Sequence, residues 1–224
     1  MLGRLVACIQ TRASWPVILG LLSAAGVLAL IMNGTELPFS TPTIEDHSGG
    51  LRILDMRLSY GPEEANHLFD ALGTEGRRAY LMLHLMPDML FPTCYALAFA
   101  CTSAWFLVRL LPLDHPLQWL SLTPLISGVA DILENLSLAV ANSSYPTRID
   151  WLTHVASTLT KIKFGLMPIG VMLLGVMVLL WFTRGRPESR LQREAEPQGH
   201  LQQDPCEIGQ VGRAASEPSQ SAVI

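Results

Sequence analysis

Four stretches of the chain are apolar over lengths that match a bilayer, separated by two short polar turns and one long polar loop. The first, residues 15–32, carries no charge over about 18 residues, close to the minimum for a membrane-spanning helix. The second, 79–111, exceeds the about 20 residues a span needs, so it must tilt, kink or protrude. Pro87 and Pro92 interrupt it, each removing a backbone donor. The third runs over 117–141 and contains Pro124. The fourth runs over 154–182, with Pro168 near its middle and Trp181 at its far end. The Pro-bounded turn Leu111-Pro-Leu-Asp-His-Pro is tight enough to make the second and third spans antiparallel neighbours. Residues 142–153 form a second short polar loop with aromatic residues at its flanks, as at a membrane interface.

The polar residues 33–78 contain one further periodic segment. Pro38 to Gly50, rich in Pro, Thr, Ser and Gly, reads as irregular loop. Over 62–72, Ala65, Leu68, Phe69 and Leu72 form an apolar stripe at helical spacing. Pro62 suits the first helical position, and Glu63 and Glu64 fall where the helix dipole favours negative charge. Gly73 suits the end of this helix, and Thr74 suits the cap of the next. The pattern predicts an amphipathic helix that lies on the membrane surface or caps the bundle. Residues 1–14 carry Arg4 and Arg12 and no acid, and read as a cytosolic N-terminus. The first apolar run reads as a retained helix, because Met32 would stand where a leader's cleavage site wants a small residue. From 183 to 224 the composition shifts to Arg, Gln, Glu, Pro, Ser and Gly, which predicts a disordered cytosolic tail. The whole pattern predicts an all-α, polytopic membrane four-helix bundle.

Composition supports that class. Half of the 224 residues are hydrophobic, 15% are charged and the mean hydropathy is +0.34, too apolar for a soluble domain of this size. A net charge of −4 with no basic stripe argues against nucleic acid as a partner and leaves the lipid bilayer. Cys8, Cys94, Cys101 and Cys206 are scattered, and none lies in the loops expected outside, so no disulfide framework is implied. No zinc-type spacing occurs and no residue pattern names a cofactor.

Four spans place both termini on one side. Arg4, Arg12, Arg109 and the arginine group from Arg184 to Arg193 then lie together, against Arg52, Arg57, Arg77, Arg78 and Arg148 on the other side. The bias favours cytosolic termini. Asn33 and Asn142, each in an Asn-x-Ser/Thr sequon, become candidate glycosylation sites on the opposite face.

Candidate chemistry centres on the third span. Asp131, Glu134 and Asn135 are spaced i, i+3, i+4 and share one helix face. A carboxylate at mid-membrane costs about 2.5 kcal/mol or more, so these groups must face other helices or a wet cavity. His84 and Asp88 share a face of the second span, and Lys161 and Lys163 lie early in the fourth. Three spans thus bring ionisable groups to a similar depth. Three readings follow. In the first, Asp88, Asp131, Glu134, Asn135 and Lys161 form a buried structural network, with Lys163 reaching to the surface. In the second, His84, Asp88, Asp131 and Glu134 hold a metal or act as an acid/base pair of an intramembrane enzyme on a lipid-like substrate. In the third, the kinked spans enclose a binding or transport site for a lipid, a small hydrophobic ligand or a small cation, walled by Met82, Met86, Met89 and Met167. No hydrolase or metalloprotease motif accompanies the cluster, and no internal repeat suggests an inverted-repeat transporter.

The pattern Leu54-Asp-Met-Arg, Tyr60-Gly-Pro-Glu-Glu-Ala, Leu72-Gly-Thr-Glu-Gly-Arg-Arg-Ala-Tyr80, Asp88, Pro92-Thr-Cys-Tyr95 and Asp131-x-x-Glu-Asn135 resembles a group of small four-span membrane proteins of unassigned activity. The resemblance covers most of residues 50–182. It implies that Asp55, Arg57 and Tyr60 join the membrane cluster as one site at the outer face. It implies no activity.

Overall fold

The computed structural model describes residues 2–184, and every regular element in them is helical. Four helical stretches are long and apolar enough to cross a membrane: Trp15–Asn33, Gly73–Leu110, Pro116–Ser144 and Asp150–Thr183. The tail expected to be disordered lies, from residue 185, outside the described residues.

Helix α1 (Leu2–Arg12) precedes the first of these. It was not expected in residues 1–14, although Val6 and Ile9 stand three apart on one face. Both are buried against Ala100, Cys101 and Ala104. Helix α2 (Trp15–Asn33) then runs the length of the bundle. Its backbone is satisfied internally, as lipid requires. The loop that follows is more ordered than its Pro/Gly content suggests. Helix α3 (Thr41–His47) forms inside the segment read as irregular, with Ser40 at the N-cap position, Pro42 in the first turn and Ile44 fully buried. A single 3-10 turn follows at Leu54–Met56.

Helix α4 (Pro62–Ala71) has the expected stripe turned inward. Leu68 and Phe69 are buried against Tyr80, Leu83, Leu138 and Ala156. Fully burying side chains of this size stabilises by about 1.5–3 kcal/mol each. Of the two placements left open for this helix, it caps the bundle, and residues 40–72 form a lid over one end. The expected helix-to-helix junction is tighter than a loop. Gly73, at φ +60°, both ends α4 and opens α5 (Gly73–Leu85), so Leu72 rather than Thr74 occupies the cap.

The long second span is two helices. Met86 leaves helical geometry and Pro87 opens α6 (Pro87–Leu110). A 3-10 turn at Pro116–Leu122 leads into α7 (Thr123–Ser144), and α8 (Asp150–Arg184) returns along the bundle. Helices α6 and α7 meet closely at Gly128, where a Cβ would lie 2.5 Å from the Ala96 Cβ and 3.1 Å from the Pro92 carbonyl oxygen. At the end opposite the lid, Trp15, Trp105 and Trp181 gather, with the Arg109 guanidinium 3.7 Å from the Trp105 ring centre. Such an aromatic girdle is typical of a membrane interface.

Candidate functional site

Under the lid, α5, α6, α7 and α8 bring their ionisable side chains together. Their positions follow from helix phase. On α8, Thr153, Ser157, Thr160 and Lys163 recur every three or four residues and are all buried. On α7, Asp131, Glu134 and Asn135 occupy the facing stripe and are buried too.

One half of the cluster is closed on itself. The Lys163 ammonium lies 2.7 Å from Glu134 Oε2 and 3.0 Å from Asp131 Oδ1. The Tyr95 hydroxyl donates to Asp131 Oδ2 at 3.0 Å, and the Thr160 hydroxyl donates to Glu134 Oε1. Three of the four carboxylate oxygens are thus hydrogen-bonded, and the fourth, Glu134 Oε2, is held by the ion pair with Lys163 alone. The lid is tied to the same group. The Tyr60 backbone N–H donates to Ser157 Oγ at 3.2 Å, and its hydroxyl lies 3.4 Å from that of Thr160. Burial, with the Glu134 carboxylate nearby, pushes the Tyr60 pKa well above the ordinary phenol value, so this hydroxyl keeps its proton.

Lys161, expected in the network, is exposed on the far face of α8, and Lys163 takes its place. Lys163 was expected to reach the surface. The 100° step per residue does not decide it, since Lys161 and Lys163 lie about equally far from the Thr153–Ser157–Thr160 stripe on opposite sides; the packing of α8 against α7 turns Lys163 inward.

Asn135 repairs a defect made by proline. Pro92 has no N–H to give to the carbonyl of Asp88, four residues back. Asn135 Nδ2 supplies the missing donor at 2.6 Å. Replacing Asn135 by leucine orphans that carbonyl and is expected to lower stability by about 1–3 kcal/mol. Thermal unfolding in detergent would reveal it, and an unchanged midpoint would remove this role for Asn135.

The second half of the cluster is open. His84 is fully buried, with Nδ1 3.4 Å from Asp88 Oδ2, and its Nε2 has no protein partner. No protein donor among the described residues reaches the other oxygen of Asp88. The Tyr80 hydroxyl lies 3.3 Å from Asp55 Oδ1 and 3.2 Å from the Leu54 N–H. Asp55, Asp88, Asp131 and Lys163 line a cavity of about 180 Å³ beneath the lid. Its other walls include Met32, Met56, Phe91, Tyr95, Phe164 and Met167. At about 30 Å³ each, this is room for about six waters or one small organic group. Four carboxylates, those of Asp55, Asp88, Asp131 and Glu134, thus share one permanent cation, Lys163.

The remaining expectations sort by position. Asp55 and Tyr60 join the cluster, while the Arg57 guanidinium turns back to the Arg52 carbonyl and orders the loop. Met167 lines the cavity, but Met82 and Met86 are exposed elsewhere, and Met32 and Met56 form the flexible wall instead. The metal set His84, Asp88, Asp131 and Glu134 does not converge. No group of three His, Cys, Asp or Glu among the described residues is close enough to hold a metal ion. The physical reason is that Lys163 sits between the two α7 carboxylates while His84 turns to Asp88. Asn142 is buried and its Nδ2 donates to the Arg77 carbonyl at 2.8 Å, so it braces α5 against α7 and leaves no room for a glycan. Asn33 remains exposed at the end of α2.

No protein-family model, no curated protein and no solved structure matches the chain, so the meaning of the cluster has to be drawn from its own geometry.

Proposed function

We propose that the chain is a multi-pass membrane protein that binds a small ligand in the chamber under its lid, with the Lys163–Asp131–Glu134 group as the structural fastening beside it. Both termini lie on one side of the membrane in this reading, the cytosolic side by the arginine bias, and the lid lies on the other. The likeness to small four-span membrane proteins fits the same topology.

The observation that carries the reading is the contrast between the two halves of the cluster. Asp131 and Glu134 each meet the Lys163 ammonium and a hydroxyl, although Glu134 Oε2 is held by the ion pair alone. Asp88 is 5% exposed, yet it presents an oxygen without a protein donor to a cavity. An unmatched buried carboxylate is costly, and a fold that needed only stability would be better served without it. Charges kept at membrane depth without a full complement of partners mark functional sites. For an enzymatic reading the α7 carboxylates are engaged by Lys163, and the His84–Asp88 pair is the acid/base pair that remains.

The test compares Asp88→Asn with wild type in ligand-free, detergent-purified protein. The amide keeps an acceptor for His84 and removes the charge. An unchanged or higher unfolding midpoint is expected. A clear fall in midpoint would place Asp88 in the fastening and end the binding reading.

A further inference from the structure

Resting on that reading, we infer that the chamber's ligand is a membrane lipid with an uncharged, hydroxyl-bearing head of about the size of glycerol, which enters sideways from the leaflet on the lid side while its chain stays in the bilayer.

The depth of the chamber follows from the tryptophan girdle at the opposite end. Trp15, Trp105 and Trp181 share one level, with ring centres 5.0 and 6.0 Å apart in turn. Each begins an unbroken helical run to a residue of the cavity: Trp15 to Asn33 on α2, Trp105 to Asp88 on α6, and Trp181 to Lys163 on α8. These runs are each about 26–27 Å long at the helical rise. A hydrocarbon core is about 30 Å thick. The same three helices carry no charge over residues 15–33, 89–108 and 164–183. The cavity therefore lies at the opposite edge of the hydrocarbon, where lipid heads begin.

The cavity opens on its side. Helices α6 and α7 form its back, through Asp88, Tyr95 and Asp131, and the lid forms its roof, through Asp55. Helix α2 packs chiefly on α6, and α8 on α7, so these two flank the cavity. Asn33 of α2, Met56 of the lid and Met167 of α8 each line the cavity and are also exposed on the outer surface. They mark the rim of a mouth at headgroup level. The two methionines give that rim flexible side chains, which adapt to what passes. A lipid with its head inside keeps its chain outside, beside Met167, so the chain needs no internal cavity.

The chemistry of the head follows from what the wall offers. Asp88 is 5% exposed and keeps one oxygen without a protein donor, and one oxygen of Asp55 meets the Tyr80 hydroxyl while the other has no protein donor among the described residues. Lys163 is held by two carboxylates and is not free for an anion. The wall is thus rich in acceptors, and a phosphate-bearing head would set acceptors against acceptors. Because the cavity is half open, water screens its charges, and net attraction selects little. Hydrogen-bond matching remains, and a site that holds hydroxyls rejects a head without them. Neighbouring hydroxyls can donate to Asp55 and Asp88, with their carbon skeleton against the Phe91, Tyr95 and Phe164 rings. Room for about six waters suits a head the size of glycerol.

The test uses the full-length protein in phosphatidylcholine nanodiscs, with empty discs as blank and radiolabelled 1-oleoylglycerol as probe. Saturable binding is expected, displaced by unlabelled 1-oleoylglycerol and about tenfold or more less well by oleyl alcohol, oleylamine or oleoyl-lysophosphatidate. Asp88→Asn is expected to weaken binding by about tenfold. A second arm reads depth and mouth in protein whose own cysteines are replaced by alanine. Asn33→Cys should react with a membrane-impermeant maleimide, and Val27→Cys, deeper on an exposed face of α2, should not. Labelled Asn33→Cys should no longer bind 1-oleoylglycerol. Equal displacement by oleylamine or oleoyl-lysophosphatidate overturns the hydroxyl head. Failure of Asn33→Cys to label overturns the depth, and full binding after labelling overturns the mouth. No saturable binding of 1-oleoylglycerol, with an unchanged midpoint for Asp88→Asn, overturns the lipid ligand and leaves the chamber standing. The same result with a lowered midpoint removes the chamber as well.

Discussion

Replacing Lys163 by methionine is expected to lower stability by about 3–5 kcal/mol, among the largest effects of any single substitution in this protein. For a protein of this size that is on the order of 10 °C in the unfolding midpoint. The cause is not the loss of one favourable contact. Asp131 Oδ1 and Glu134 Oε2 are left buried, facing each other's charge with nothing between them. Each then bears a desolvation cost that the ammonium had offset. Three comparisons isolate this cause. Lys161→Met, two residues away on the exposed face, is expected to change stability by less than about 0.5 kcal/mol. Exchanging the charges, Lys163→Asp with Asp131→Lys, should recover part of the loss, since one pair can re-form. Removing all three charges, Lys163→Met with Asp131→Asn and Glu134→Gln, should recover more, because no uncompensated ion remains. If Lys163→Met were tolerated as well as Lys161→Met, the ion-pair fastening would be wrong.

Gly128→Ala is the second large effect, and its sign separates two physical causes. Judged by helix propensity alone, alanine in place of glycine within α7 should stabilise by about 1 kcal/mol. Judged by packing, the new methyl falls 2.5 Å from the Ala96 Cβ and 3.1 Å from the Pro92 carbonyl oxygen, well inside contact distance. Helices α6 and α7 must then move apart. Overpacking of this kind costs about 1–3 kcal/mol, and valine at the same position should prevent assembly. The separation would also stretch the 2.6 Å bond from Asn135 to the Asp88 carbonyl, about two turns from the contact, so the chamber should loosen with the fold. Pairing Gly128→Ala with Ala96→Gly returns the lost space and should restore most of the stability. Thermal unfolding of the two single variants and the double variant measures this directly. A stabilised Gly128→Ala would mean that the two helices do not touch there.

These two residues mark how much was legible in advance. Span lengths, the Pro-bounded turns and the α4 stripe could be read from the chain, because local periodicity and proline stereochemistry act within one element. The polar faces of α6 and α7 were legible for the same reason. Asp131, Glu134 and Asn135 share a helix face whatever that face meets. Which lysine answers them was less obvious. Lys161 and Lys163 are equivalent by composition and lie about equally far from the Thr153–Ser157–Thr160 stripe on opposite sides, so only the packing of α8 against α7 selects Lys163. Helices α1 and α3 were missed because both are short. Neither would be stable alone, and each is held by tertiary burial, of Val6 and Ile9 in one case and Ile44 in the other.

The sequence by itself determined an all-helical chain with four lengths of apolar helix and a set of ionisable residues at one depth. Those properties follow from what lipid demands of a single segment: internal backbone bonding and an apolar surface. Only the tertiary structure decided how the charges divide. It paired Lys163 with Asp131 and Glu134, closed that half and left Asp88 facing open space, because pairing depends on helix rotation and on distances of a few ångströms between elements far apart in the chain. It also turned the lid inward, bringing Asp55 and Tyr60 to the membrane residues and leaving Arg57 behind on the loop.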